Sequence, residues 1–213
     1  KYLGTNFDIH GGGSDLQFPH HENEIAQSKC ANPNSIYAKY WVHNGFLTVN
    51  GEKMSKSLNN FFTIKDLLDK DIPPLAIRYL LLATHYRKPL DFNDKALLDA
   101  KKSIEKFYGV IGSEINNYNK TESGNLFLNK IIEALADDLN SPLAFSVLHE
   151  IVKSIKHSQD LERKNLINNL MQCLDFLGLF DVNYFSQPEK NGVDENYVLE
   201  KIAARKAAKA QKN

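Results

Sequence analysis

The sequence predicts an α/β front followed by an all-α antiparallel bundle, and three observations carry that division. Phe7-Asp8-Ile9-His10 has strand character, runs into Gly11-Gly12-Gly13 and leads to a helical stretch behind Pro19, a strand, glycine loop, helix unit. Tyr40 to Val49 is rich in aromatic and β-branched residues and meets Asn50-Gly51, a strong short-range hairpin signal. From about residue 126 onward apolar residues recur at the helical period without interruption.

Taken in order, Pro19 stands where a first helical residue belongs, which predicts a helix from His20 to about Lys29. The Asn50-Gly51 turn then presents Glu52 to Ser57 on the far side of a hairpin. Residues 63–70 and 74–84 carry helical patterns; the second follows Pro73-Pro74 and places Ile77, Leu80, Leu81 and Thr84 on related faces. His85 to Phe92 breaks the pattern, and Asn93 restarts a helix through about Gly109. The polar stretch Asn116 to Asn125 reads as a linker. Beyond it Leu128, Ile131, Ile132, Leu135 and Leu139 form one stripe, Ser141 caps the next helix with Pro142 at its first position, and Val147, Leu148, Ile151 and Ile155 form a second stripe. A third helix holds Leu166, Ile167, Leu170, Leu174 and Leu177 and closes at Gly178; a fourth starts near Asp194 and holds Val198, Leu199 and Ile202. Successive amphipathic helices of this kind make an antiparallel bundle.

Composition narrows the function classes. The chain has 213 residues, 42% of them hydrophobic and 24% charged, which is ordinary for a folded protein with its own core. Lys plus Arg and Asp plus Glu both number 26, so the net charge is zero and a polyanion must be met by a local patch rather than a cationic surface. No run of about 18 apolar residues is present and the first residues lack a secretory pattern, so the expectation is a cytoplasmic protein that does not enter membranes. Cys30 and Cys173 have neither disulfide-framework nor metal-motif spacing, which fits a reducing compartment. The opening residue is not Met and the last residues lie in a helical run without a stop signal, so the chain reads as a piece of a longer protein.

Three constellations could carry chemistry. In Asp8 to Asp15 the glycines allow close approach of backbone N–H groups to a ligand, and Asp15 is placed to accept from sugar hydroxyls; the same residues also describe a flexible surface loop. In Pro19-His20-His21-Glu22-Asn23-Glu24, His20 and Glu24 are four residues apart, the helical spacing at which an imidazole and a carboxylate reach one cation. Two ligands do not complete a structural zinc site, and Cys30 is poorly placed to help, so the pair alone equally describes a helix surface. In Lys53-Met54-Ser55-Lys56-Ser57 two lysines among small hydroxyl residues can neutralise a triphosphate as charge builds on a leaving pyrophosphate, or form a solvated basic loop.

Lys53 to Ser57 is similar to the signature loop of class I aminoacyl-tRNA synthetases. The block Phe7 to Ser28, with Tyr40 to Gly45 and His85-Tyr86-Arg87 downstream, resembles the cysteinyl-tRNA synthetases in particular, and Asp137 to Ala144 is similar to the start of that family's helical bundle. The resemblance spans nearly the whole chain. It implies a Rossmann-like nucleotide-binding half-domain over 1–60, a stem-contact segment over 61–118 and an α-helical tRNA-binding bundle over 119–213. The implied activity is ATP-dependent formation of cysteinyl-adenylate and transfer of the cysteinyl group to its tRNA. By the same resemblance Lys53 and Lys56 are catalytic; Gly13, Asp15 and Lys56 bind ATP; His10 lines the amino-acid pocket; and His20 and Glu24 are two of four zinc ligands, the others lying upstream. The implied cofactor is one zinc ion, with ATP and Mg, cysteine and the tRNA for cysteine as substrates, acting in a monomer. The family's His-Ile-Gly-His type motif is also expected upstream, so the 213 residues alone are expected neither to charge tRNA nor to hold zinc tightly.

One departure is visible: Leu58-Asn59-Asn60 stands where the family usually has Leu-Gly-Asn, which predicts a left-handed backbone at Asn59. Two other readings compete, a cysteine ligase acting on an amino sugar and a non-catalytic RNA-binding fragment. The bundle beyond residue 126, with Lys201, Arg205, Lys206, Lys209 and Lys212 on its last helix, favours tRNA, although that basic set equally describes a solvated helix face.

Overall fold

In the computed structural model, residues 2–55, 57–58, 60–120 and 124–186 are described. Lys56, Asn59 and the helix expected near Asp194, with its basic residues, lie outside them. The chain divides into two compact units, residues 1–180 and 181–213; the described part of the second is a short helical turn, Tyr184–Ser186, in which the Tyr184 N–H donates to the Asp181 carbonyl.

The first strand, β1 (Asn6–Gly13), pairs in parallel with β2 (Tyr37–Asn44), with Ile9 opposite Tyr40 and Gly12 opposite His43. The glycine run is therefore the end of a strand and not a loop. Glycine weakens a strand, but a Cβ on Gly12 would stand 2.9 Å from Leu16 Cδ1 and 3.0 Å from His21 Cε1, so the backbone is bare where a ring lies against it. A 3-10 turn, Ser14–Leu16, and a wide turn, Gln17–His21, follow before helix α1 (Glu22–Ala31). The α-helix thus starts two residues later than the position of Pro19 predicts, because Phe18 is extended (φ −140°) and keeps Pro19 in the preceding turn.

The predicted Tyr40–Val49 strand is two strands. β2 ends at Asn44, and β3 (Leu47–Val49) belongs to a second sheet, antiparallel to β4 (Glu52–Lys53) across the Asn50-Gly51 turn and parallel to a strand the sequence pattern misses, β5 (Leu90–Phe92). Asp91 ties this sheet together, accepting hydrogen bonds from Thr48 Oγ1 (2.8 Å), the Gly51 N–H (2.7 Å) and Asn93 Nδ2 (2.8 Å). Those donors hold its carboxyl below the usual range.

Between the sheets' strands and beyond them the helices match the periodicity closely. Helix α2 (Ile64–Asp69) opens on a Thr63/Asp66 capping box, α3 (Pro74–Ala83) on its proline, and α4 (Asp94–Ile111) on Asn93, whose side chain accepts from the Ala96 N–H. Helices α5 (Leu126–Ala136), α6 (Ser141–His157) and α7 (Asp160–Phe176) complete a bundle with α3 and α4. Its centre is Phe107, Tyr108, Ile131, Leu148, Ile151, Ile155, Leu170 and Leu174, all fully buried. Three details differ from the sequence reading, the first being that Ile132, expected in the apolar stripe, is 44% exposed. Helix α5 stops at Ala136, and Asp138 and Leu139 both take positive φ (52° and 54°), so Leu139 leaves the stripe and is exposed. Asn140, not Ser141, is the cap of α6, its side chain accepting from the Leu143 N–H.

Nor is the polar stretch before α5 a free linker. Tyr118 donates to Asp175 Oδ2 (2.9 Å), the Asn119 N–H donates to Asn168 Oδ1 (3.0 Å), and Asn125 Nδ2 donates to Gln172 Oε1 (2.9 Å), so its two ends are fastened along α7. At the other end of α7, Gly178 (φ 68°) lets the Leu179 N–H reach the Leu174 carbonyl, the expected glycine stop.

Candidate active site

The parallel pairing of β1 and β2 decides which side chains meet. Residues of one parity on a strand share a face, and His10 pairs with Trp41, so His10, Trp41 and His43 come to the same side as the turn and helix that follow β1. Against them sits His21, only 3% exposed. Its Nδ1 is 2.8 Å from His43 Nε2, its ring is edge-on to His10 (4.7 Å between centroids), and Trp41 lies 5.2 Å away. Burial, then the neighbouring His10, pushes the His21 pKa down, so this ring is held neutral.

Glu24 is the acid of the cluster. Its Oε2 is 2.9 Å from His10 Nε2 and accepts a long hydrogen bond from Tyr37 (3.4 Å), while its Oε1 is 3.2 Å from His20 Nε2. The expected His20–Glu24 pair thus forms although His20 belongs to the wide turn rather than to α1. The structure adds His10 to the same carboxylate, and one ligand atom from each of His10, His21 and Glu24 lies within 4.8 Å of the others. Imidazole nitrogens and a carboxylate oxygen suit a borderline cation such as zinc, so the donors present fit the ion the sequence implies. His21, Tyr37, Trp41 and His43 were not singled out as site residues from sequence. Their signal was the alternation of Trp41 and His43 along one strand, legible only once β1 is known to pair with it.

A second group forms where the hairpin returns. Lys53, at the end of β4, places Nζ 3.5 Å from Asp15 Oδ2 and 5.1 Å from the centre of the Phe46 ring. The expected catalytic lysine and the expected sugar-binding acid, 38 positions apart, are therefore neighbours. Gly13 stands directly beneath that acid: a Cβ there would meet Asp15 Oδ1.

The loop beyond Lys53 is closed by one side chain. Asn60 Oδ1 accepts from the Ser55 N–H (2.8 Å), and its Nδ2 donates to the Lys53 carbonyl (3.2 Å), imitating a strand partner across the loop. Ser55 Oγ also accepts from the Leu58 N–H (3.3 Å). Asn60→Ala removes both amide bonds at a cost of about 1 kcal/mol or less, because the groups freed are near water. The expected result is faster hydrogen exchange at the Ser55 amide with the bundle's protection unchanged; an unaltered Ser55 rate would show that Asn60 does not close the loop.

Similarity to known proteins accords with this geometry. Residues 1–102 match the family model described as the class I (C) tRNA synthetase catalytic domain, and residues 130–181 match the DALR domain. The chain is 52% identical over its whole length to the cysteine–tRNA ligase of Rickettsia bellii and 51% identical to that of Rickettsia conorii. It spans 45% of the length of each of those relatives. Among solved structures, the Agrobacterium radiobacter K84 LeuRS–tRNA–LeuAMS complex overlays 86% of this chain and 28% of its own with a TM-score of 0.62 at 15% identity, a likeness of fold. Along its whole length, through the Rossmann-like parallel strands, the signature lysine loop and the DALR helices, the chain is similar to part of the cysteinyl-tRNA synthetases.

Proposed function

We propose that the chain is the part of a cysteine–tRNA ligase that joins amino-acid selection, ATP handling and tRNA binding. The observation that carries this reading is the Glu24 carboxylate set between His10 and His20, in a chain 52% identical to a cysteine–tRNA ligase. His20 and Glu24 would hold zinc together with ligands from elsewhere in the protein, and the ion, when bound, supplies a ligand position that takes a thiolate and rejects a serine hydroxyl. His10, beside that pair, lines the amino-acid pocket. Gly13 and Asp15 receive the nucleotide sugar, and Lys53 and Lys56 neutralise the phosphates.

In the first step a carboxylate oxygen of cysteine attacks the α-phosphorus of ATP, bound with Mg, and the bond to pyrophosphate breaks. No side chain need be the nucleophile. Orientation and charge stabilisation carry the rate, so lysines aimed at the leaving group are the expected equipment. In the second step a ribose hydroxyl at the 3′ end of the tRNA takes the cysteinyl group and AMP leaves. Residues 61–118 would contact the acceptor stem, and the bundle from 119 onward would hold the rest of the tRNA. Among the described residues no helix is long and apolar enough to cross a membrane.

The test is cysteine-dependent pyrophosphate exchange and tRNA charging by the full-length protein. Both are expected with cysteine and not with serine. Lys53→Ala and Lys56→Ala should each lower exchange by roughly 10²–10³, the usual loss when a charge-stabilising donor is removed. Exchange that is independent of cysteine, or charging of an amino sugar in place of tRNA, would overturn the assignment.

A further inference from the structure

Through the carboxylate of Asp138 the turn between α5 and α6 grips the segment that follows α3. Arg87 donates to it through two nitrogens, Nε to Oδ2 (2.6 Å) and Nη2 to Oδ1 (2.9 Å); Tyr86 donates its hydroxyl to Oδ1 (2.6 Å); and His85 Nε2 stands 3.9 Å from Oδ2. The three side chains are themselves stacked, His85 on Tyr86 and the Arg87 guanidinium over the Tyr86 ring. Arg87, then Tyr86, hold the Asp138 carboxyl down to about 2, below the usual carboxylate range. A carboxylate lowered in this way contributes above its unfolded range and is lost only as the pH falls through the folded value.

Why such a contact exists is not a matter of stability. Both Asp138 and Arg87 are about half exposed, and exposed ion pairs contribute little to folding. Yet presenting Asp138 requires two consecutive non-glycine residues at positive φ, a conformation that costs free energy at each. The turn is fixed from behind: the Asn140 N–H reaches the Ala134 and Asp137 carbonyls, and Asn140 caps α6. A rigid, strained turn that holds a carboxylate for a fork of donors is a device for position.

What it positions follows from the other side of the 85–88 segment. The Tyr86 carbonyl accepts from the Gly45 N–H (2.7 Å), and the backbone of Lys88 lies so close to Gly45 that a Cβ there would overlap it. Gly45 is two residues from His43 of the histidine cluster and two from the start of β3, the strand that carries the lysine hairpin. A short chain of contacts therefore runs from the turn before α6 through Asp138 and Tyr86 to Gly45, at the junction of β2 and β3. We infer that Asp138 is a positioning residue that sets the tRNA-binding bundle against the catalytic half, so that it governs the transfer of the cysteinyl group to tRNA and not the formation of the adenylate.

This inference rests on the ligase reading, and full-length protein separates the two. Wild-type enzyme that neither exchanges pyrophosphate with cysteine nor charges tRNA overturns both. Given an active wild type, Asp138→Ala and Asp138→Asn should keep cysteine-dependent exchange within about 2-fold while kcat/KM for tRNA falls at least 10-fold. The pair Arg87→Asp with Asp138→Arg, which restores opposite charges in reverse, should recover part of the loss, and raised salt should narrow the gap between wild type and variant. Equal losses in exchange and charging would assign Asp138 a general structural role and overturn the inference; so would no loss in either. If Asp138→Ala fails to fold, Arg87→Lys, which loses the fork but keeps the charge, gives the same split or refutes it.

Discussion

Gly45→Ala should destabilise the protein by about 3–4 kcal/mol, the sum of an overpacking cost near the top of its usual range and one lost hydrogen bond. The added methyl would overlap the carbonyl oxygen and carbonyl carbon of Lys88. Those are backbone atoms, so no side chain can swing aside. The 85–88 segment must retreat, and with it goes the Gly45 N–H to Tyr86 bond. The same substitution at Gly109 makes the control. That residue is on the exposed face of α4, where a Cβ meets nothing within 4 Å; alanine there should stabilise by about 0.5–1 kcal/mol through its better helix propensity. Urea unfolding followed by circular dichroism reads both. Opposite shifts of midpoint are expected, and a Gly45→Ala midpoint equal to the parent's would mean that the strand junction and the 85–88 segment are not in contact.

Gly45 also shows where sequence reading loses information. As a residue in an aromatic and β-branched stretch it reads as part of one strand, and nothing local says that a second segment 43 positions later crosses it; the glycine is required by a tertiary contact. The strand Leu90–Phe92 is hidden for a related reason, since three residues are too few to display a period of two. It exists because β3 offers it a partner and Asp91 fastens the join. The bundle behaves differently. Its helices run 10 to 18 residues, long enough for the apolar stripe to state the face, and the predicted Ile131, Leu148, Ile151, Ile155, Leu170 and Leu174 are all fully buried. The errors there are the exposed Ile132 within α5 and the helix end, where Asp138 and Leu139 adopt positive φ without a glycine to announce it.

The site divides along the same line. The His20–Glu24 pair is readable from its spacing, while Lys53 and Asp15 are each named by resemblance without being paired; the structure brings both pairs together. The packing of His21 against His43 and Trp41 was not readable, because it needs the parallel register of two strands separated by a helix.

That arrangement makes Glu24 the residue whose change should cost function most. Glu24→Gln keeps the size and shape of the side chain but removes the charge that faces His10 and His20. An amide is a poor zinc ligand beside a carboxylate, and one end of it would present N–H donors to an imidazole nitrogen. In full-length protein the variant should lose most of its bound zinc by metal analysis, and cysteine-dependent exchange should fall by about 10² or more, at least the loss seen when residues supporting a metal site are removed. Folding should change little, since Glu24 is partly exposed and its ion pairs are near water. Glu24→Ala serves as the check on geometry: it leaves His10 and His20 without their shared acceptor, so it should lose zinc as fully as the glutamine variant. A Glu24→Gln enzyme with stoichiometric zinc and exchange within about 3-fold of wild type would place the metal on other residues, and Glu24 would then be only the anchor that orients two histidines.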